Sequence, residues 1–187
     1  LYVEAIDNEG NKSYGPDQTG LRTIVKVIDG GLRSIADIQV TPKEDGASIY
    51  DDQTLEDIVI TGVVTATVNY LGLTTIQDGP DVNSGIFIRS QAGDGLSQIK
   101  RGDILTITKA TVTEEFGVTH LSDLTYTKAD GTELPNPLMN VAMDSFQNAA
   151  SAEAYEGMFM EWTDVVVSDT APDFPSFFGE FAFATDL

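Results

Sequence analysis

Five β-rich runs follow one another between residues 57 and 128, and each is ended by a turn signal. Valine, isoleucine and threonine dominate these runs, and such residues favour strands. We expect the strands at residues 58–68, 73–78, 85–90, 104–113 and 118–127. Gly62 lies inside the first run, where a glycine usually marks a bulge or a bend.

This order of elements is typical of one small barrel. Five strands with a short insertion between the third and the fourth is the strand order of the OB fold, and residues 96–99 read as a helical turn at that insertion. Closure of a barrel also removes the unpaired edges of a sheet. We therefore predict an all-β chain built on a five-stranded OB-type barrel.

The rest of the chain divides around that barrel. Residues 1–30 read as a strand at 1–7, a turn at 8–11 and a second β-rich run at 23–28, and residues 31–56 read as a connector with one helical turn. Residues 57–128 form the barrel. Residues 129–187 read as a linker and the start of a second, incomplete barrel-like β unit, with strands at 156–167 and 178–184 and a helical turn capped by Ser151.

Two stretches carry a resemblance to known families. Residues 2–13, YVEAIDNEGNKS, resemble the penultimate strand and following turn of a fibronectin type III domain. The barrel resembles the OB-fold-like domains of secreted bacterial proteins, which often stand beside fibronectin-type modules or extracellular nuclease and phosphatase domains. The residues that carry this second resemblance are ITGVVT (60–65), IQDG (76–79), SGIFI (84–88), RGDILTI (101–107) and FGVTHL (116–121).

The charge of the chain limits its partners. The formal net charge is −20, and residues 129–187 hold 11 acidic and no basic side chains. A field of that sign repels phosphate backbones, so nucleic acid is disfavoured as a partner. The acid excess is typical of a soluble or salt-adapted surface, or of a surface that binds cations. No apolar stretch is long enough to span a membrane as a helix.

The residues needed for the common catalytic sites are missing from the sequence. There is no cysteine, there is one histidine, and neither a nucleophile elbow nor a phosphate-binding glycine motif occurs. We therefore expect no enzyme activity and no resident cofactor. One loop offers hard oxygen ligands of the kind that Ca²⁺ favours, although such residues are equally typical of a plain turn: Asp78, Asp81 and Asn83.

An OB barrel binds ligands on the face of its second and third strands and through the adjoining loops. Aromatic rings and an arginine on that face would suit a base or a sugar. Alternation places Phe87 opposite to Ile86 and Ile88, and the sequence does not decide which side is the core. The candidate ligand-binding residues are Tyr70, Gln77, Phe87, Arg89, Phe116 and His120.

Because the chain begins at Leu1 in a strand-like pattern, we expect it to be part of a longer polypeptide. The resemblances imply an extracellular or cell-surface location. The leading hypothesis is a non-catalytic structural or interaction module, whose partners are other domains or subunits of a larger extracellular protein or assembly. The alternative is a nucleic-acid- or glycan-binding accessory domain of an extracellular nuclease or other hydrolase.

Overall fold

The computed structural model describes residues 3–6, 12–15, 31–40, 47–91, 93–176 and 181–184. Five strands close into a barrel in the order β3-β4-β5-β7-β6. The third and fifth barrel strands, β5 and β7, pair in parallel, and the other neighbours pair antiparallel. This confirms the predicted OB-type barrel. Its strands are β3 (Thr54–Ala66), β4 (Thr74–Gln77), β5 (Gly85–Ile88), β6 (Ile104–Glu115) and β7 (Val118–Ala129).

The predicted strand bounds shift by a few residues, and the predicted irregularity lies elsewhere. Strand β3 begins before residue 57 and ends before residue 68. The prediction of a bulge at Gly62 is wrong, because Gly62 pairs in regular register with Leu105. The register shifts of β3 lie instead at residues 56–60 and 64–66. A side chain on Gly62 would instead meet the backbone oxygen of Gln77 at 3.2 Å. The glycine therefore allows two neighbouring strands to approach closely.

Short helices accompany the barrel. A helical turn follows β3, and a 3₁₀ turn, predicted from the sequence, separates β5 from β6. A third short helix begins after Asn148, whose Oδ1 accepts the amide hydrogen of Ser151 at 3.0 Å, so the predicted cap at Ser151 is wrong. The helices are α1 (Ala36–Gln39), α2 (Val68–Leu71) and α3 (Ala149–Ala152), and the 3₁₀ turns are Leu96–Gln98, Met143–Phe146 and Glu153–Tyr155.

The core fills the barrel and extends into the segment before it. The inward side chains of all five strands are buried, among them Ile76, Ile86 and Ile107. Ile35 and Ile38, from residues predicted as a connector, are also fully buried in this cluster. Helix α1 therefore covers one part of the barrel core, and the segment around it belongs to the barrel unit by packing.

The flanking β pairs are small. Strand β1 (Val3–Ile6) pairs antiparallel with β2 (Lys12–Gly15), a strand that the sequence did not predict, and the fibronectin character of this segment stays a prediction. The run at residues 23–28 lies outside the described residues. In the last part, β8 (Leu138–Met139) pairs in parallel with β9 (Met160–Glu161), and the antiparallel pair is β10 (Val166–Asp169) with β11 (Ala182–Ala184).

One strand predicted for the last part is interrupted. The run at residues 156–167 contains β9 and the start of β10, separated by a turn in which Asp164 has a φ of 56°. Of the second predicted strand, residues 178–180 lie outside the described residues. Within the part of the chain that the structure describes, no helix combines the length and the apolar character that a membrane crossing requires.

Candidate functional site

The outer face of β4 and β5 is where an OB barrel binds its ligands. Cross-strand pairing places Thr75 opposite Phe87 and Gln77 opposite Gly85 on that face, whereas Ile76 and Ile86 point into the core. All four residues of β4 are nevertheless buried. A strand that is buried on both faces must be covered from outside, and here the cover comes from the same chain.

The covering segment is residues 153–160, which we call the strap. It is tied to β4 and the following loop by two backbone groups. The amide of Phe159 donates to Oε1 of Gln77 at 2.9 Å, and the amide of Asn83 donates to the carbonyl oxygen of Ala154 at 2.7 Å. The guanidinium of Arg101 lies 4.9 Å from the centre of the Phe159 ring. The strap is therefore held by both polar and ring contacts.

Two glycines allow the strap to touch β5. A Cβ atom on Gly157 would lie 2.6 Å from the amide nitrogen of Ile86, closer than real Cβ contacts come. A Cβ atom on Gly85 would collide with the backbone of Gly157 in the same way. Gly157 also has a φ of 64°, a conformation that side-chain-bearing residues rarely adopt. The backbone contact between the strap and β5 therefore requires glycine at both positions.

Glu156 of the strap binds at the seam, which is the short parallel pairing between β5 and β7. These strands share only two residue pairs, the first of which includes His120, so the amide of Thr119 has no strand partner at the seam. Both carboxyl oxygens of Glu156 accept that amide, at 3.1 and 3.2 Å. Nε2 of Gln39 donates to the carbonyl oxygen of Gly85 at 2.9 Å and to Glu156 at 3.3 Å. One carboxyl group thus joins α1, β7 and the strap.

The surroundings of Glu156 favour its protonated form. Burial raises the pKa of this carboxyl to about 8, the Thr119 amide opposes the shift, and the nearby carboxylates of Glu153 and Glu114 add to it. Glu114 accepts the hydroxyl hydrogen of Thr119 at 2.8 Å, so one threonine lies between the two carboxyl groups. At neutral pH the strap is therefore held by a largely uncharged glutamic acid.

This pKa predicts a pH dependence of stability. The ordinary pKa of a glutamate is 4.5, and here the folded state holds the proton up to pH about 8. Between these values the folded protein binds more protons than the unfolded chain, so the free energy of unfolding falls as pH rises and levels off above pH 8. We expect Glu156→Gln to lose this component. Thermal unfolding of both proteins at several pH values from 5 to 9 measures the difference, and parallel curves would contradict the prediction.

Of the predicted ligand-binding residues, Gln77, Phe87 and His120 lie close to the strap or to each other. Gln77 is buried and donates its amide hydrogen to the Gly79 carbonyl at 2.7 Å, in addition to holding the strap. The rings of Phe87 and His120 are 6.1 Å apart on the outer face. Burial, followed by the charge of Arg89, lowers the pKa of His120, whose Nδ1 has no hydrogen-bond partner among the described residues.

The other three predicted ligand-binding residues follow β5, stand in the β6–β7 hairpin turn or belong to α2. Arg89 forms an ion pair with Glu115 at the surface. Phe116 is at the tip of the β6–β7 hairpin with 98% of its side chain exposed. Tyr70 belongs to α2. The structure brings Arg89 close enough to His120 for its charge to act on that histidine.

Phe116 offers a direct test of backbone strain. Its φ is 56°, and Gly117 after it has a φ of 75°, as in the tight hairpin turns that favour Asn-Gly. Asparagine tolerates this conformation better than phenylalanine, and the exposed ring has little packing to lose. We expect Phe116→Asn to raise the free energy of unfolding by about 0.5–1 kcal/mol. Urea unfolding measures the change, and a loss of stability would show that the ring has a stabilising contact.

The predicted calcium ligands are spread along the loop between β4 and β5. One carboxyl oxygen of Asp78 accepts the Ile35 amide at 2.6 Å, and burial raises the pKa of Asp78. Asp81 is exposed, and Asn83 has a φ of 63° and binds the strap through its amide. Among the described residues, no group of three acidic or histidine side chains is arranged to hold a metal ion. Calcium binding by this loop stays a prediction.

A cavity of about 410 Å³ lies between the outer face of the barrel and the last part of the chain. Strands β3, β4 and β5 contribute one wall, and the strap and its neighbours contribute the other. Five of the lining residues are aromatic. They are Phe87, Phe146, Tyr155, Phe159 and Trp162.

Sequence reasoning missed the strap and the residues that hold it, above all Gln39, Glu156 and Gly157. Gly157 gives the only local signal, because a glycine inside a predicted strand often marks a close backbone approach. Comparison with known proteins adds no relative: no family model matches the chain, and no curated protein matches it significantly.

Proposed function

We propose that the chain is a non-catalytic structural and interaction module of a larger secreted or cell-surface bacterial protein. The observation that supports this proposal most strongly is the strap. The face that OB barrels use for ligands holds a segment of the same chain, through Gln77, Gly85 and Thr119. A barrel of this kind serves as a platform on which a neighbouring part of the polypeptide docks.

The same contacts weigh against the alternative, a nucleic-acid- or glycan-binding accessory domain. The side-chain amide of Gln77 is hydrogen-bonded to backbone groups of the protein through both its nitrogen and its oxygen. Phe87 lines the cavity on the barrel side, opposite the strap. The net charge of −20 opposes a polyanion as well. A ligand on this face would have to displace the strap before it reached these side chains.

Titration with single-stranded DNA and a glycan array test this alternative. We expect no DNA binding at micromolar protein in 50 mM salt, because low salt strengthens every phosphate contact. Intrinsic fluorescence of Trp162 reports binding near the strap. Gly157→Ala, which is expected to displace the strap, serves as the comparison. Binding of DNA or glycan to the unaltered chain would overturn the proposal, whereas binding to the variant alone would show a face that the strap blocks.

Association of the chain with another domain or subunit can be tested separately. Several apolar side chains of the last part are exposed, among them Val166, Val167 and Phe181. We expect this surface to be covered by another domain or subunit, since exposed apolar side chains of this kind mark interaction surfaces. Sedimentation velocity over a range of concentrations measures association. A chain that stays monomeric at all concentrations, with both ends protected from hydrogen exchange, would contradict an assembly.

A further inference from the structure

Several aromatic rings of the cavity lining contact one another. The Phe146 ring is 5.3 Å from the Tyr155 ring at an interplanar angle of 54°, and 6.1 Å from the Trp162 ring at 61°. Rings inclined in this way form adjoining walls and do not stack face to face. Phe87 closes the cavity from the barrel side. A group inside it therefore meets several aromatic rings.

Several polar groups of the cavity wall are already hydrogen-bonded. The hydroxyl oxygens of Thr65 and Thr75 are hydrogen-bonded to each other at 2.7 Å. The indole N–H of Trp162 donates to the carbonyl oxygen of Val141 at 2.8 Å. A sugar or a nucleobase buried here would leave most of its polar groups without partners, which is costly. The cavity therefore suits a ligand whose surface is made of methyl or methylene groups.

Charge selects among such ligands. The last part of the chain, residues 129–187, has 11 acidic and no basic side chains. The Phe159 ring already holds one cation, the guanidinium of Arg101, which lies outside the cavity lining. The faces of aromatic rings attract organic cations, and most strongly where water is excluded. A cation covered by methyl groups therefore fits both the aromatic rings and the negative charge of residues 129–187.

We propose that this cavity binds a small alkylammonium cation, such as a trimethylammonium group. The site is separate from the proposed role as an interaction module, and neither requires the other. The ligand chemistry has two sources, a free quaternary amine and a methylated lysine side chain of a protein. The cavity volume of about 410 Å³ falls within the range of small-ligand pockets.

The decisive comparison uses choline and its uncharged isostere, 3,3-dimethylbutan-1-ol, which have the same shape and differ in the positive charge. We expect isothermal titration of the full chain to show binding of choline at least about tenfold tighter than that of the alcohol. Equal affinities, or no choline binding at millimolar concentration, would overturn the proposal. A trimethyl-lysine peptide measured alongside distinguishes the two sources of the cation.

Ring substitutions locate the site. Phe146→Leu and Phe87→Leu keep an apolar side chain and remove a ring, and each is expected to weaken choline binding about threefold to thirtyfold. Phe116→Leu removes an exposed ring that does not line the cavity and is the matched control. Melting temperatures of all three variants exclude unfolding as the cause. A Phe87 or Phe146 variant that is folded and binds choline unchanged would contradict the assignment.

A second readout does not depend on a ring. The groups whose charges act on Glu156 are Glu153 and Glu114, and Arg101 is the cation that lies against the Phe159 ring. A bound cation favours the ionised form of Glu156, so choline binding at pH 7 is expected to release protons. Titration in two buffers of different ionisation enthalpy measures the release. Glu156→Gln is expected to abolish it, and proton release that persists in this variant would place the cation elsewhere.

Discussion

Ile38→Ala is expected to lower the free energy of unfolding by about 2–5 kcal/mol, which is the usual cost of truncating a fully buried isoleucine. Ile38 belongs to α1 and is 0% exposed in the same cluster as the barrel side chains Ile60 and Ile107. Its loss leaves a cavity between α1 and the barrel. Urea unfolding followed by circular dichroism gives the free energy directly.

The matched control for this substitution is Val40→Ala. Val40 lies two residues further along, at the end of α1, and 48% of it is exposed. We expect this variant to change the free energy of unfolding by less than about 0.5 kcal/mol. If Ile38→Ala were equally mild, α1 would not be part of the barrel core, and residues 31–56 would be a connector as the sequence first indicates.

Gly157→Ala is expected to cost about 2–4 kcal/mol and to release the strap from the barrel. The added Cβ atom meets the amide nitrogen of Ile86 at 2.6 Å, and the φ of 64° is unfavourable for alanine. The strap carries Glu156 and Phe159, so the hydrogen bonds to Thr119 and Gln77 are lost with it. Limited proteolysis and urea unfolding together measure the release and its cost.

Gly72→Ala is the control that distinguishes the effect of the Cβ contact in Gly157→Ala from the effect of the positive φ. Gly72 has a φ of 72°, and an added Cβ atom there meets nothing within 4 Å. Gly72→Ala is therefore expected to lower the free energy of unfolding by the backbone strain alone, about 1–2 kcal/mol. Gly157→Ala must be the more damaging of the two, and the strap must become sensitive to protease in that variant only. Equal effects would mean that the strap does not touch β5.

The barrel could be predicted from the sequence because its signals are local. Each strand is a run of β-branched residues bounded by turns, and the order of five such runs specifies the topology once closure is assumed. The orientation of Phe87 could not be predicted, since alternation gives two faces and does not say which is inside. Burial of Ile86 and Ile88 decides that Phe87 faces outward.

The covered face could not be predicted, because it depends on contacts between distant parts of the chain. Gln39 reaches Glu156 across 117 positions, and Gln77 reaches Phe159 across 82. Neither residue type signals such a contact, and a buried glutamine or glutamic acid is unusual. The sequence of residues 156–167 also predicts a strand, although the first residues of this run form part of the strap across the barrel. Tertiary contacts override the local preference here.

Hydrogen exchange at single amides in the full chain shows directly whether residues 153–160 cover the outer face of β4 and β5. Three amides join the strap to the barrel: those of Asn83, Thr119 and Phe159. We expect all three to exchange at least about a hundredfold more slowly than in an unstructured chain. Exchange of these amides at the unstructured rate, while the core amides of Ile76 and Ile107 stay protected, would contradict a docked strap.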